Sequence, residues 1–357
     1  IAEPGIGHAG AVTVAVYATL APERVRYLLQ HSESKILIVE DRKLLDQVAG
    51  MRSELPKLQR VILIEGDIPE VEGWVITWEE ALRRGDEFGR GRPGMLTSRW
   101  QAVRPDDMAS LIYTSGTTGT PKAAILTHGN LPWTAETTRR CLPGSATDWA
   151  LASLPHAHVL DRVVSQLRQL CTGFEVYFCP SVDQVMTLVR DVHPTYFTSV
   201  PRLWEKIYDG VRSRMDKATG TRRVVRDWAL LMGARRAAAY DRGRKPSPWV
   251  QAQWNLADRI VFSKIRAAIG LDQVKICVSG SAPVSPDMLR FFYGLGIEIL
   301  EGYRLTGAEA AATVNRPGAG RLGPGGPGPH GREVRRAPGR RGRGKGARTC
   351  RGPRRSP

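Results

Sequence analysis

The sequence predicts an α/β fold, and three observations indicate it. Between about Ala11 and Tyr303, short β-branched runs alternate with longer stretches that repeat with helical period. Proline and small polar residues mark several helix starts. A loop rich in glycine and hydroxyl side chains follows one of the strand candidates. Hydrophobic residues make up 42% of the 357 positions, which is enough for a buried core.

Short apolar runs predict the strands. Runs of four or five residues bounded by turn-forming residues are typical of strands buried in a sheet. The candidates are Lys35–Val39, Arg60–Ile64, Ala109–Tyr113, Glu175–Cys179, Thr195–Ser199, Val274–Val278 and Ile297–Leu300.

Helix starts are marked by proline and by capping residues. Pro22 and Pro201 each suit the first helical position, where a missing N–H costs nothing. Another start is indicated at Ser285-Pro286-Asp287. These residues are, in order, a capping serine, a first-turn proline and an acid that complements the helix dipole. Ser181 followed by Gln184 has capping-box spacing. We therefore expect helices to begin at these four places.

We expect residues 203–269 to be mostly helical, with breaks near Gly220 and at residues 245–248. Within this region, residues 222–245 hold seven Arg and one Lys against Asp227 and Asp241. One interpretation is a solvated helix face. The other is a surface attracted to an acidic partner or to anionic lipid headgroups, which implies peripheral contact with a membrane.

The last part of the chain differs in composition. Residues 319–357 contain 11 Gly, 6 Pro and 12 Lys or Arg against the single acid Glu333, so they carry much of the formal charge of +17. Such a segment cannot bury a core, and we expect it to be disordered. A shifted reading frame explains it better than an RNA-binding tail, because it lacks interleaved aromatic residues. We expect no specific nucleic-acid partner.

Cysteine spacing and hydropathy exclude several classes of protein. The five cysteines form no C-x-x-C pair and no zinc-like spacing, so we predict reduced thiols rather than disulfides or a metal site. No apolar run reaches the roughly 18 residues that a membrane-spanning helix needs. We expect a soluble, cytoplasmic protein, peripheral at most to the inner face of the membrane. Because the chain opens with Ile1, we also expect it to be part of something longer.

The most informative segment is Tyr113–Lys122, which reads YTSGTTGTPK. Gly116 and Gly119 allow backbone N–H groups to converge on an anion, while the neighbouring hydroxyls donate to its oxygens and Lys122 adds a positive charge. The segment is not a Walker A loop, because Pro121 precedes the lysine and Ala123 follows it. A generic kinase or GTPase is therefore excluded.

This segment resembles the signature of the AMP-forming adenylating enzymes, which include acyl-CoA synthetases, luciferases and peptide-synthetase adenylation domains. Leu154–Val159 is similar to the second core motif of that superfamily. Gly280–Pro283 resembles its adenine-side segment, and Glu301–Gly307 resembles its EGYGLTE element. Ser199–Tyr208 is most similar to the long-chain fatty acid branch. The resemblance covers roughly residues 5–318, and it implies a partial AMP-binding adenylating domain over residues 1–318.

The resemblance implies the large N-terminal core of the acyl-CoA synthetase and luciferase fold, with layered β-sheets and helices. It assigns two sets of residues to ATP. The phosphates would contact Thr114, Ser115, Gly116, Thr117, Thr118, Gly119 and Lys122, and the adenine would contact Gly280, Ser281, Ala282, Pro283, Gly302 and Tyr303. Two residues are implied as catalytic: Thr306 would reach the α-phosphate, and His158 would lie at the acyl carboxylate. A packed loop histidine is the alternative for His158.

The implied reaction activates a long-chain fatty acid with ATP and Mg²⁺ and transfers the acyl group to coenzyme A. Gly307 stands where the family has its metal-coordinating glutamate, so no metal ligand is predicted. Arg304 replaces a small glycine, and no hinge or C-terminal lid motif follows. We therefore expect an incomplete domain with impaired turnover. The alternatives are an enzyme for another acyl or aryl acid, or a non-catalytic nucleotide-binding or basic-tail interaction protein.

Overall fold

The computed structural model describes residues 2–68, 73–114, 121–155, 157–158, 161–280, 282–303, 313–314 and 318. The helices described are α1 (Ala2–His8), α2 (Pro22–His31), α3 (Arg42–Ala49), α4 (Trp78–Arg90), α5 (Met95–Ala102), α6 (Asn130–Cys141), α7 (Arg168–Thr172), α8 (Val185–Val192), α9 (Pro201–Asp216), α10 (Gly220–Asp241), α11 (Pro248–Ala257), α12 (Ser263–Ala268) and α13 (Pro286–Gly294). Two π-helical turns, Arg162–Leu167 and Asp258–Phe262, lead into α7 and α12.

The strands described are β1 (Thr13–Ala15), β2 (Ile36–Val39), β3 (Arg60–Leu63), β4 (Val75–Thr77), β5 (Met108–Thr114), β6 (Lys122–Thr127), β7 (Trp149–Ala152), β8 (Glu175–Phe178), β9 (Tyr196–Ser199), β10 (Ile276–Gly280), β11 (Ile299–Tyr303) and β12 (Thr313–Val314). Together with the helices they confirm the predicted α/β class. All seven predicted strands are present, with ends shifted by no more than three residues.

Within the described residues the strands form three sheets. The largest has the order β12-β11-β10-β9-β7-β8, and only β12 is antiparallel to its neighbour. A second sheet has the order β1-β5-β6, in which β5 and β6 are antiparallel. The third, β2-β3-β4, is parallel. Because the large sheet is parallel, the carboxyl ends of its main strands meet at one edge.

An aromatic core holds the helices against the large sheet. Trp204 of α9 is completely buried. Its ring meets Phe197 of β9 and Phe292 of α13 edge to face, with centroids 5.2 and 5.4 Å apart. Edge-to-face contacts of this kind stabilise a core beyond the burial of area alone. They fix α9 and α13 on the sheet and so place the loop between β10 and α13.

Helical segments begin at all four predicted places, but neither predicted serine cap forms. Pro22, Pro201 and Pro286 open α2, α9 and α13, although Ser285 makes no side-chain cap. The capping box at Ser181 does not form. Ser181 precedes a 3₁₀ turn at residues 182–184, which continues directly into α8 from Val185. The predicted breaks in residues 203–269 lie between α9 and α10 and between α10 and α11.

Among the described residues, no helix has the combination of length and apolarity required to cross a bilayer.

Candidate functional site

The stem of the predicted phosphate loop is a β-hairpin. β5 ends at Thr114 and β6 begins at Lys122, and these two residues are register partners in the antiparallel pair. Ser115, Gly116, Thr117, Thr118 and Gly119 lie outside the described residues. The hairpin nevertheless determines where the loop leaves the sheet and where it returns.

A cavity of about 300 Å³ opens beside this stem, and Tyr113, Thr114, Pro121 and His158 contribute to its wall. The stem is braced by α2, because Tyr27 donates a hydrogen bond to the carbonyl of Pro121 at 3.2 Å. The hydroxyl of Tyr113 bonds His31 Nδ1 at 2.8 Å, and burial raises the pKa of this phenol. Tyr113 therefore remains protonated and holds the end of β5 in place at neutral pH.

Arg24 is a cavity residue that sequence reasoning missed. It lies in the first turn of α2 and is exposed toward the same cavity. Together with Lys122 at the head of β6, it supplies positive charge near the loop stem. The start of α2 at Pro22 was predictable, but the packing of α2 against the hairpin is a long-range contact with no local sequence signal.

His158 lies in a tight turn after β7. Its backbone N–H donates to Pro155 O at 2.7 Å, and its own carbonyl accepts from the N–H of Asp161 at 3.1 Å. Through this turn Ala157 and His158 reach the cavity beside the loop stem. His156 of the same motif is outside the described residues.

The adenine-side segments meet at the carboxyl edge of the large sheet. Gly280 of β10 and Gly302 of β11 are register partners. Neither glycine has a side chain, so no Cβ atom stands over the backbone at this pair. Gly280 is buried and Gly302 is partly exposed. Ala282 and Pro283 follow on an exposed turn. Tyr303 closes β11, while Ser281, Arg304, Thr306 and Gly307 lie outside the described residues.

One step below the glycines, three buried polar residues form a row across the sheet. Ser279 is the register partner of both Ser199 and Glu301, so the three side chains point to the same face. Within the described part of the chain, Ser199 Oγ, Ser279 Oγ and Glu301 Oε2 have no hydrogen-bond partner. Buried polar atoms are usually satisfied, so this row is suited to a water or a ligand group. Sequence reasoning did not single out these three side chains.

Glu301 ties the two adenine-side segments together. Its Oε1 accepts a hydrogen bond from the N–H of Val284 at 3.0 Å, which links the turn after β10 to β11. Burial raises the pKa of this carboxyl, partly offset by that hydrogen bond. The Glu301 carboxyl therefore keeps its proton to a higher pH than an exposed glutamate does, and in its protonated form it can donate a hydrogen bond through the second oxygen.

The residues that the structure describes do not fit a metal site. No group of three His, Cys, Asp or Glu side chains is arranged there to hold an ion. Arg24 lines the cavity beside the hairpin stem and Lys122 lies on that stem, whereas the paired glycines and the buried polar row lie in the large sheet. In open parallel sheets, ligands bind at the carboxyl ends of the strands, and the Gly280–Gly302 pair lies at such an edge.

Curated relatives are ligases of fatty acids. The chain is similar to the long-chain-fatty-acid–CoA ligase ACSBG2 of Xenopus laevis, with 30% identity over 90% of this chain and 44% of that protein. It is also similar to the long-chain-fatty-acid–CoA ligase FadD15 of Mycobacterium tuberculosis strain H37Rv, with 34% identity over 86% of this chain and 49% of the relative. The chain thus spans about half the length of the curated relatives it matches.

Solved structures share the fold. The anthranilate CoA ligase AuaEII in complex with anthranoyl-AMP superposes with a TM-score of 0.61 and 22% identity, over 93% of this chain and 55% of that one. ATP-bound MatB from Rhodopseudomonas palustris superposes with a TM-score of 0.57 and 18% identity. The match covers 91% of this chain and 51% of MatB. The fold is therefore the core of the adenylating enzymes, as the sequence predicts. The AMP-binding enzyme family matches residues 1–335, and the chain belongs to this family.

Proposed function

We propose that the chain is the adenylating core of a ligase that activates a long-chain fatty acid with ATP and passes the acyl group to coenzyme A. The observation that carries this proposal is the pairing of Gly280 with Gly302 above a row of buried polar groups, at the carboxyl edge of the sheet. The site suits a nucleotide, and the similar ligases of Xenopus laevis and Mycobacterium tuberculosis are named for long-chain fatty acids.

In this proposal the protein positions the reactants and neutralises charge. The loop after Thr114, with Lys122 and Arg24, holds the β- and γ-phosphates. Gly280, Gly302 and the residues beside them receive the adenine. The fatty acid carboxylate attacks the α-phosphorus in line, the bond from that phosphorus to the bridging oxygen breaks, and pyrophosphate leaves.

The acyl-adenylate then reacts with the thiol of coenzyme A, which takes the acyl group and releases AMP. His158 at the cavity wall orients the carboxylate, and Thr306 contacts the α-phosphate. Mg²⁺ accompanies ATP in the family, but the described residues offer no ligand set, so no step is assigned to it.

A second, larger cavity supports a long apolar acid. It has a volume of about 690 Å³ and a largely apolar lining that includes Val103, Leu131, Leu167 and Leu170. β5 connects the two cavities, because Ser110 lines the larger one while Thr114 lines the smaller. A cluster of buried apolar side chains, Ile112, Leu126 and Val163, packs at the same strand. We propose that the acyl chain extends along β5 toward the larger cavity.

The runner-up is an enzyme for an aryl or shorter acyl acid, because the structurally similar AuaEII is named as an anthranilate CoA ligase. Non-hydrolysable acyl sulfamoyl adenosines distinguish the two without requiring turnover. We expect the palmitoyl analogue to bind at least tenfold more tightly than the anthraniloyl analogue in calorimetry. Equal affinities, or tighter binding of the anthraniloyl analogue, would overturn the long-chain assignment.

A variant of the larger cavity sharpens this test. Leu170→Glu adds a charge to its exposed rim and should weaken the palmitoyl analogue alone. Leu82→Glu on α4 is the matched control, because Leu82 is also an exposed leucine but does not line this cavity. Equal loss with both analogues at Leu170→Glu would indicate a general disturbance and contradict the path along β5.

A further inference from the structure

Helices α10 and α11 pack side by side and expose an unusual surface. Two contacts fix their alignment: Trp228 Nε1 donates to Gln253 Oε1 at 3.2 Å, and the Arg235 guanidinium lies 5.9 Å from the ring centre of Trp249. Leu231 lies between Trp228 and Arg235, three residues from one and four from the other, and so shares their face of α10. The outer face of this pair continues through the π-helical turn into α12.

Large apolar side chains on this surface are open to solvent. The exposed fractions are 49% for Leu231, 57% for Trp249, 47% for Leu256 and 42% for Ile260. Trp249, Leu256 and Ile260 follow one another at intervals of seven and four residues, which keeps them on one side of the helix. Single exposed apolar residues are ordinary, but a cluster on adjoining helices marks an interaction surface.

The cations around these side chains are largely uncommitted, because nearby acids pair elsewhere. Asp241 accepts from Arg290 at 2.6 Å, and Asp258 pairs with Arg266 at 2.5 Å. Asp227 is held by Arg226 at 2.7 Å. In the described ranges, no carboxylate pairs with Arg235, Arg242, Arg244, Lys245 or Arg259. We name these five cations and the four apolar residues above the basic–apolar face.

We propose that the basic–apolar face docks on an anionic lipid bilayer. Transfer from water into the hydrocarbon layer is favourable for the aliphatic side chains of Leu231, Leu256 and Ile260. The ring of Trp249 suits the boundary between hydrocarbon and headgroups. The long Arg and Lys side chains can reach back to the headgroup phosphates, where negative surface potential attracts them. A nucleic acid would satisfy the cations but could not accept three aliphatic side chains, because these cannot stack on bases. The inference stands whether or not the proposed ligase function is correct.

The test is co-sedimentation of the full chain with vesicles of phosphatidylcholine alone or with about 30% phosphatidylglycerol, which gives the vesicle surface a negative potential. We expect binding to the anionic vesicles only, falling as salt rises. The double variant Trp249→Ala with Leu256→Ser should bind the anionic vesicles about tenfold more weakly, because it buries less apolar surface. Arg235→Gln with Arg242→Gln should weaken this binding to a similar extent, about tenfold.

The control pair is Leu82→Ser with Arg90→Gln on α4, where a leucine and an arginine are also exposed. It should bind like the parent. The basic segment 319–357 is identical in every variant, so its contribution cancels in the comparison. Unchanged vesicle binding by the Trp249 and Leu256 double variant would overturn the proposal. So would binding to single-stranded RNA that the arginine variant loses while its vesicle binding is retained, which would assign the face to nucleic acid.

Discussion

At the scale of single residues, the buried carboxyl group of Glu301 links the turn after β10 to β11. Its bond to the Val284 N–H is compatible with a neutral side chain, whereas ionisation would leave a buried charge beside Ser279. Because burial raises the pKa of Glu301 in the folded chain, the folded state binds this proton more tightly than the unfolded state does. Stability from this group is therefore complete below the ordinary carboxyl range and decreases as the pH rises above it.

The unfolding midpoint of Glu301→Gln should differ increasingly from that of the parent as the pH increases. The amide keeps an acceptor for the Val284 N–H but cannot ionise, so it avoids the cost of a buried charge. We expect the unfolding midpoint of the variant to rise relative to that of the parent as the pH increases above the ordinary carboxyl pKa of about 4.3. Thermal unfolding followed by circular dichroism measures this. A midpoint difference that does not change with pH would show that folding does not raise the pKa of Glu301.

Sequence motifs identified candidate residues, but their long-range placement could not be predicted from the sequence. Thr114, Lys122, Gly280 and Gly302 were identified from their motifs, and the strand register shows that they occur in adjacent pairs. Arg24 reaches the cavity only because α2 packs on the hairpin. No local pattern encodes such a contact.

At the scale of elements, two glycines allow α10 and α13 to touch. A methyl group on Gly233 would lie 3.1 Å from the carbonyl oxygen of Gly294, closer than nearly all natural contacts of this type. Gly210 in the interior of α9 is a matched helical glycine with nothing within 4 Å. The two positions therefore distinguish helix propensity from close packing.

Gly233→Ala should destabilise the chain, and Gly210→Ala should not. The first variant forces α10 and α13 apart, at a cost of about 1–3 kcal/mol typical of overpacking. The second variant replaces a flexible residue with a better helix former, which should raise the free energy of unfolding by about 0.5–1 kcal/mol. Urea unfolding of both variants compares them directly. Equal effects at the two positions would mean that α10 and α13 are not in contact in solution.

Strands were predictable where a β-branched run was long enough to stand out, as at Arg60–Leu63 and Ile36–Val39. β1 and β4 have only three residues each and are strands because a neighbour pairs with them. β6 begins Lys-Ala-Ala, a composition with weak strand preference, and owes its form to pairing with β5. Tertiary pairing determined these elements, so the local pattern could not reveal them.

At the scale of the whole molecule, an ion pair on the amino side of the large sheet joins strands that are not neighbours. Asp148 precedes β7 and Lys275 precedes β10, with β9 between them. Burial acts to raise the pKa of Asp148, but hydrogen bonds from Lys275 and Ser145 outweigh it and lower the pKa overall. The pair lies at the edge opposite the candidate site, where it can be altered without touching ligand groups.

Asp148→Asn should destabilise the chain most at neutral pH. A carboxyl whose folded pKa is lowered contributes stability above its unfolded pKa and loses it as the pH falls through the folded value. Lys275 is more than half exposed, so we expect a modest loss of about 1–2 kcal/mol. The difference from the parent should shrink below about pH 4, the ordinary Asp range. Unfolding midpoints at pH 7 and pH 3 test this, and a constant difference would contradict the ion pair.

The central claim is that the chain binds ATP through the hairpin stem and the carboxyl edge of the large sheet. Calorimetric titration with ATP tests it most directly, using the parent, Lys122→Ala, and Lys43→Ala as a matched exposed lysine on α3. We predict that the parent and Lys43→Ala bind ATP equally and that Lys122→Ala binds about tenfold more weakly, the loss expected for one charge-assisted phosphate contact. No detectable ATP binding by the parent, or equal affinity in the parent and Lys122→Ala, would contradict the claim.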